Sequence, residues 1–185
     1  LEDGAQGFGG SIAGKKACSF GDIATTSFFP SKPLGCYGDG GALFTDNDEW
    51  AELAKSYRSH GKGNFKYDNV RIGMNSRLDT LQAAILKVKL KAFVEYELQS
   101  INDIACEYTK KLKSVVHTPV VPEGYCSSWA QYTIVLDNKE VRDRIQAELK
   151  NKGIPTMVYY PKPLHKQTRY LMNSHRYHDL QELQC

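Results

Sequence analysis

The chain has 185 residues, 41% of them hydrophobic and 24% charged, and a net charge of +3. That balance supports a buried core in one domain or one and a half, and it excludes a disordered chain. The charge is too small and dispersed for a nucleic-acid surface, and no basic run is interleaved with aromatics.

The five cysteines (Cys18, Cys36, Cys106, Cys126, Cys185) are an odd number without Cys-x-x-Cys spacing. They read as reduced thiols of a cytoplasmic protein, neither a disulfide framework nor a zinc site. His175 and His178 lie too loosely around Cys185 to make a metal site, and no metal is expected. No apolar stretch is long enough to cross a bilayer and no signal peptide is evident. The opening run Leu1-Glu-Asp-Gly-Ala-Gln6 lacks a methionine and has the look of a strand tail. The expectation is a fragment of a longer protein.

In chain order, Asp22 to Phe29 is rich in β-formers, and Ala42 to Thr45 follows a glycine turn, so both are expected strands. Asp46 or Asn47 caps the next helix, in which Trp50, Leu53, Ala54 and Tyr57 recur at helical spacing until Gly61 ends the run. The stretch from Gly61 to Gly73 is a polar loop. Ser76-Arg-Leu-Asp79 has the form of a capping box opening a long helix towards Lys113, with a break near Gln99 or Ser100. Val115 to Ser128 holds two prolines and a glycine, and so reads as loop or edge segment. Tyr132 to Leu136 is an expected strand. Asn138 to Lys152 is an expected helix with Val141, Ile145 and Leu149 on one face, closed by Gly153. Ile154 to Tyr160 is a further strand. Alternating strands and helices make the class α/β or α+β.

The chemistry is carried by Lys32, in the run Ser27-Phe-Phe-Pro-Ser-Lys-Pro-Leu-Gly. Aromatic, proline and glycine residues fix the backbone around it and exclude water. Partial burial in such a pocket lowers an amine's pKa and makes it a nucleophile for carbonyl chemistry. Asp3 falls at a strand end, with Gln6 close behind. A carboxylate there and a lysine on a neighbouring loop fit the needs of pyridoxal phosphate. The lysine holds the aldehyde as a Schiff base, and the carboxylate keeps the pyridine nitrogen protonated. The Ser27 hydroxyl is a natural phosphate ligand. The turn from Gly38 to Gly41 reads either as a simple turn or as a close backbone approach beside Lys32.

Six further stretches join these residues in one order: Leu1-Glu-Asp-Gly-Ala-Gln6, Gly38-Asp-Gly-Gly41, Arg58-Ser-His-Gly61, Ile72-Gly-Met-Asn-Ser-Arg77-Leu-Asp-Thr-Leu-Gln-Ala-Ala84, Ile154-Pro-Thr156 and Tyr159-Tyr-Pro-Lys-Pro-Leu-His165-Lys-Gln167. Together with the lysine run they resemble the DegT–DnrJ type of nucleotide-sugar aminotransferases, over nearly the whole chain to about Tyr170. The resemblance implies a pyridoxal phosphate-dependent transferase of fold type I, with part of the large domain and a smaller C-terminal α+β domain. It implies the end of the cofactor-binding domain at 1–75, a connecting helix or helices at 76–112 and the small domain at 113–185. It further implies that an amino-terminal half, and with it one wall of the pocket, is missing from these residues.

Residue by residue, Lys32 matches the Schiff-base lysine, Asp3 the partner of the ring nitrogen, Gln6 a residue near the ring and its 3-hydroxyl, and Ser27 a phosphate ligand. Asn75 matches an asparagine that reaches the phosphate of the other subunit's cofactor, with Arg77 facing substrate. Alternatively, Asn75 and Ser76 simply cap the following helix. Tyr159, Tyr160 and His165 match substrate contacts near a homodimer interface. If the two tyrosines alternate on a strand, only one of them faces the site. His60 is expected to be structural.

The implied reaction moves an amine from an amino acid, with glutamate the expected donor, to a keto-sugar nucleotide for surface polysaccharide. The unbroken run from Phe28 to Gly41 is similar to that of enzymes acting on 3-keto UDP-acetamido sugars. Rivals are a sugar dehydratase, against which Lys32 stands because such relatives carry histidine there, a non-catalytic fragment, and a generic α/β binding module. The ending after Tyr170 does not match the family's.

Overall fold

A computed structural model describes residues 1–168. It divides into two compact units, 1–135 and 136–185.

The first unit is built on a three-stranded sheet in the order β1 (Glu2–Asp3), β4 (Ala24–Ser27), β5 (Gly41–Phe44). β1 runs parallel to β4 with Asp3 opposite Thr25, and β5 runs antiparallel with Ser27 opposite Gly41 and Ala24 opposite Phe44. Side chains alternate across a sheet, so this register sorts them onto two faces. Ala24, Thr26, Ala42 and Phe44 point to one side, where Phe44 stacks on Phe8 at 6.3 Å and Ala42 packs against the core. Asp3, Thr25, Ser27 and Leu43 share the other side.

The core cluster is Phe28, Leu34, Cys36, Leu86 and Phe93, with Phe8, Leu78 and Leu98 packed against it. Leu86 and Phe93 come from one long helical stretch, α2 (Thr80–Ala92), a π-helical turn (Phe93–Glu97) and α3 (Leu98–Leu112). The expected break near Gln99 or Ser100 is absent. The π turn inserts its extra residue earlier, which re-phases the buried stripe so that Phe93 and Ala105 both stay covered. The expected capping box is also absent. α2 starts at Thr80 with Asp79 as its N-cap and no side-chain capping bond, and the Ser76 N–H that a box would pair with Asp79 is instead bonded to the Arg58 carbonyl at 2.9 Å. By contrast, Asn47 does cap α1 (Asp48–Tyr57), its Oδ1 accepting from Trp50 N–H at 3.0 Å.

A second small sheet was not anticipated: β2 (Ser11–Ile12) pairs with β3 (Lys15–Lys16) on one side and β6 (Tyr125–Cys126) on the other. Ala13 and Gly14 between β2 and β3 both have positive φ, as a type I′ hairpin requires. Alanine stands where asparagine or aspartate usually signals this turn, so no local residue pattern marks it.

The second unit contains α4 (Lys139–Asn151), capped by Asn138 Oδ1 accepting from Val141 N–H at 2.9 Å and ended by Gly153 at φ +74°. Val141, Ile145 and Leu149 lie half-buried on one face as expected. The flanking strands expected at Tyr132 to Leu136 and Ile154 to Tyr160 do not form among the described residues, where Val135 makes a single bridge to His117. Their β-prone composition finds no ladder partner, and strand preference is context more than backbone.

Candidate active site

The polypeptide leaves β4 at Ser27 and returns at Gly41, and the loop between them is stitched to itself. Phe28 N–H donates to the Gly40 carbonyl and Cys36 N–H to the Phe28 carbonyl, each at 2.8 Å. The fully buried Cys36 thiol lies 3.0 Å from the Phe28 carbonyl and 3.1 Å from that of Gly38. At Gly35 a Cβ would sit 2.6 Å from the Pro30 carbonyl oxygen, so only glycine lets the loop close there. Lys32 occupies the turn at the loop's tip, half-buried, with its N–H donating to the Phe29 carbonyl at 2.9 Å. Gly38 to Gly41 is more than a turn. A Cβ on Gly41 would stand 2.8 Å from the Thr26 carbonyl oxygen, and one on Gly40 would stand 3.0 Å from Cys36 Sγ.

Asp3 and Ser27 lie on the same face of the sheet. With strands about 4.8 Å apart and a rise of about 3.3 Å per residue, their Cα atoms are roughly 8 Å apart. Asp3 Oδ1 accepts from Ala5 N–H at 3.0 Å, which aims the carboxylate beyond the strand end. Ser27 Oγ accepts from Phe29 N–H at 3.2 Å and keeps its proton free to donate. Gln6 is exposed at the following turn, its carbonyl accepting from Ser128 Oγ at 2.9 Å.

Asn75 and Arg77 form a pair, Arg77 Nη2 donating to Asn75 Oδ1 at 3.0 Å. They are exposed on a strap bonded to the end of α1 through Met74 N–H to the Tyr57 carbonyl and through a bridge between Asn75 and Ser59. Asn75 therefore does not cap α2. His60 is exposed in this strap at φ +64°, its N–H donating to the Met74 carbonyl. Tyr159, Tyr160 and His165 belong to the second unit and are exposed. The tyrosine rings meet edge-on at 5.3 Å in a non-strand segment, so neither is assigned a side by alternation. The chain after Thr168 lies outside the described residues, as do His175, His178 and Cys185.

Two concavities open on the first unit. The larger, about 1370 Å³, is walled by β4, β5, α1 and the strap, and Arg77 alone of the expected site residues borders it. The smaller, about 440 Å³, includes Gln6 with Glu2, Ser128 and Trp129.

Sequence reasoning passed over Glu2. Its carboxylate accepts from the N–H groups of Cys18 at 2.6 Å, Phe20 at 2.9 Å and Gly21 at 3.3 Å, clasping the loop before β4 and fixing β1 beside it. Burial, the largest single influence, pushes this carboxyl's pKa up, but the three donors and nearby Lys15 outweigh it and hold the pKa below its ordinary value of 4.5. A folded-state pKa below the unfolded one contributes stability that is complete above the unfolded value and is lost as pH falls through the folded one. Glu2→Gln should therefore cost about 1 kcal/mol at neutral pH, a modest figure because the group is partly solvated. The gap between wild type and variant should close as pH is lowered below about 4.5, which urea unfolding from pH 7 to pH 3 measures. A gap that persists unchanged at the acid end rules the clasp out.

Residues 1–182 match the DegT/DnrJ/EryC1/StrS aminotransferase family. The UDP-2-acetamido-2-deoxy-3-oxo-D-glucuronate aminotransferase of Pseudomonas aeruginosa is 51% identical over 168 residues, 90% of this chain and 45% of that protein. Among solved structures, a DegT DnrJ EryC1 StrS aminotransferase from Brucella abortus superposes with a TM-score of 0.87 at 50% identity, over 92% of this chain and 44% of that one. S. venezuelae DesV, crystallised with a ketimine intermediate, gives a TM-score of 0.83 at 33% identity, over 91% and 45%. The chain spans about half the length of the curated relatives it matches, so its α/β fold is a partial one of the type I transferases. It belongs to the DegT/DnrJ/EryC1/StrS aminotransferase family.

Proposed function

We propose that this chain is the lysine-bearing part of a pyridoxal phosphate-dependent aminotransferase that delivers an amine to the keto group of a nucleotide-linked sugar. One observation carries the reading: Asp3 and Ser27 share a sheet face at adjacent strand ends, and the turn holding Lys32 leaves the strand that ends in Ser27. The 51% identical relative named for a 3-oxo UDP-acetamido sugar supports this substrate class.

The donor set fits the cofactor: an amine for its aldehyde, a carboxylate for its ring nitrogen, a hydroxyl for its phosphate. When bound, the cofactor supplies a ring that accepts the electron pair released as a proton leaves the substrate. The chain's own residues do the rest. Asp3 would partner the proton on the ring nitrogen. Ser27 would donate to a phosphate oxygen, and Gln6 would serve the 3-hydroxyl side of the ring. Lys32 would hold the aldehyde through its amine and, once released from it, would move a proton at the substrate carbon. Asn75 would reach the phosphate of a second subunit's cofactor with Arg77 facing substrate, and Tyr159, Tyr160 and His165 would contact substrate. The homodimer, the cytoplasmic setting, the glutamate donor and the role in polysaccharide synthesis belong to the same proposal. So does the organisation into a large-domain part at 1–75, a connector at 76–112 and a small domain at 113–185. No helix among the described residues is long and apolar enough to cross a membrane.

The test is reductive trapping. The chain is mixed with pyridoxal phosphate, reduced with borohydride, digested and mapped. Modification concentrated on the peptide containing Lys32 is the expected result. Label spread evenly over the exposed lysines rejects the proposal.

A further inference from the structure

The turn that carries Gln6 is anchored from the far end of its unit. Ser128 Oγ donates to the Gln6 main-chain carbonyl at 2.9 Å, across 122 residues of sequence, and Ser128 is only 3% exposed. A second layer holds Ser128 in place. Asn102 on α3 donates through Nδ2 to the carbonyls of Leu98 at 2.8 Å and Ser127 at 3.1 Å, and its Oδ1 accepts from Trp129 Nε1 at 3.1 Å. Trp129 has φ +48°, a left-handed backbone that a bulky residue seldom adopts. Its N–H is held by Ser127 Oγ at 3.1 Å and its ring stacks on Tyr132 at 5.3 Å. On the receiving side, a Cβ on Gly10 would lie 3.0 Å from the Cys126 carbonyl oxygen, and β2 pairs with β6.

Gln6 itself is exposed, and its side chain makes no hydrogen bond among the described residues. A flexible side chain of this kind points reproducibly only if its backbone is fixed. The Gln6 carbonyl takes its single donor among the described residues from Ser128. We propose that Ser128 is a positioning residue, its hydroxyl setting where Gln6 stands relative to the cofactor that Lys32 and Asp3 hold. This inference rests on the cofactor reading above. Asn102 and Trp129 support Ser128 from behind.

Ser128→Ala and Ser128→Thr are compared with wild type in two measurements. The first needs no cofactor: amide exchange at Gly7, Phe8 and Gly10, which close this turn by bonds to the carbonyls of Gly4 and Gly7. Ser128→Ala should speed exchange there about tenfold, while Ser128→Thr, which keeps the hydroxyl, should stay near wild type. The second is titration with pyridoxal phosphate, followed by its visible band as a function of pH. Ser128→Ala should bind about tenfold more weakly with a displaced pH midpoint, and Ser128→Thr should restore both. A cofactor titration unchanged within twofold in Ser128→Ala overturns the positioning role, as does exchange accelerated across the whole unit. Absence of a band in wild type counts against the cofactor reading instead, and the anchor is then judged by exchange alone.

Discussion

Replacing Phe93 by alanine is expected to destabilise the first unit by about 3–5 kcal/mol, the largest effect of any single core change. Phe93 is 2% exposed and stacks on Phe8 at 6.3 Å. Its ring tip fills the space beside Gly9, where a Cβ would come within 2.5 Å of Cζ. Phe8 in turn meets Phe28 edge-on at 6.1 Å, and Phe28 begins the loop that displays Lys32. The cluster around Phe93 is small, so the void cannot be refilled by collapse of a second layer, which places the cost in the upper part of the range. Phe93→Leu should cost far less, about 1–1.5 kcal/mol, because most of the volume remains. Urea unfolding monitored by circular dichroism measures both. A Phe93→Ala cost below about 1 kcal/mol removes the ring from the core, and with it the mechanical link from the long helix to the lysine loop.

The parts of this fold legible in the sequence are those specified by local chemistry. Asn47 and Asn138 announce their helices because an asparagine oxygen satisfies a free N–H at a helix start wherever the rest of the chain goes. β4 and β5 show through their composition, and Asp3 at the end of β1 through its setting. What stayed hidden depends on partners distant in sequence. The Ser76–Asp79 box has the right letters, yet Ser76 is claimed by Arg58, which no local pattern records. The π turn at Phe93 follows from the need to bury both Phe93 and Ala105 against the same wall. Glu2 and Ser128 are ordinary polar residues in the sequence. Only the fold reveals that one clasps three N–H groups and the other reaches back to Gln6.

The same division holds for the candidate site. Residue identities and order alone point to Lys32, Asp3 and Ser27, because carbonyl, ring and phosphate each require a particular functional group. The register that sets Asp3 and Ser27 on one face came from the pairing of β1 with β4. Arg77 borders the large concavity beside β5, while Lys32 and Asp3 do not.

Lys32→Ala is expected to abolish the visible band proposed for the wild-type chain mixed with pyridoxal phosphate, and to do so without unfolding the protein. The band depends on a carbon–nitrogen double bond to an amine, and alanine has none to offer. Folding is insulated because the Lys32 side chain makes no hydrogen bond or ion pair among the described residues, and its turn is held by the main-chain bond to Phe29. The stability change should lie within about 0.5 kcal/mol, as for other partly exposed positions free of special contacts. Lys32→Arg sharpens the experiment. It keeps the positive charge that would attract the phosphate, but its guanidinium stays protonated and does not add to a carbonyl. If charge alone gathered the cofactor, arginine would preserve binding measured by equilibrium dialysis, yet the band would still vanish. Asp3→Asn should act differently, leaving Lys32 able to react but weakening retention of the cofactor about tenfold or more, because a neutral amide no longer stabilises the protonated ring nitrogen. A band of undiminished intensity in Lys32→Ala assigns the amine to another lysine and removes the basis for placing the reaction at the end of β4.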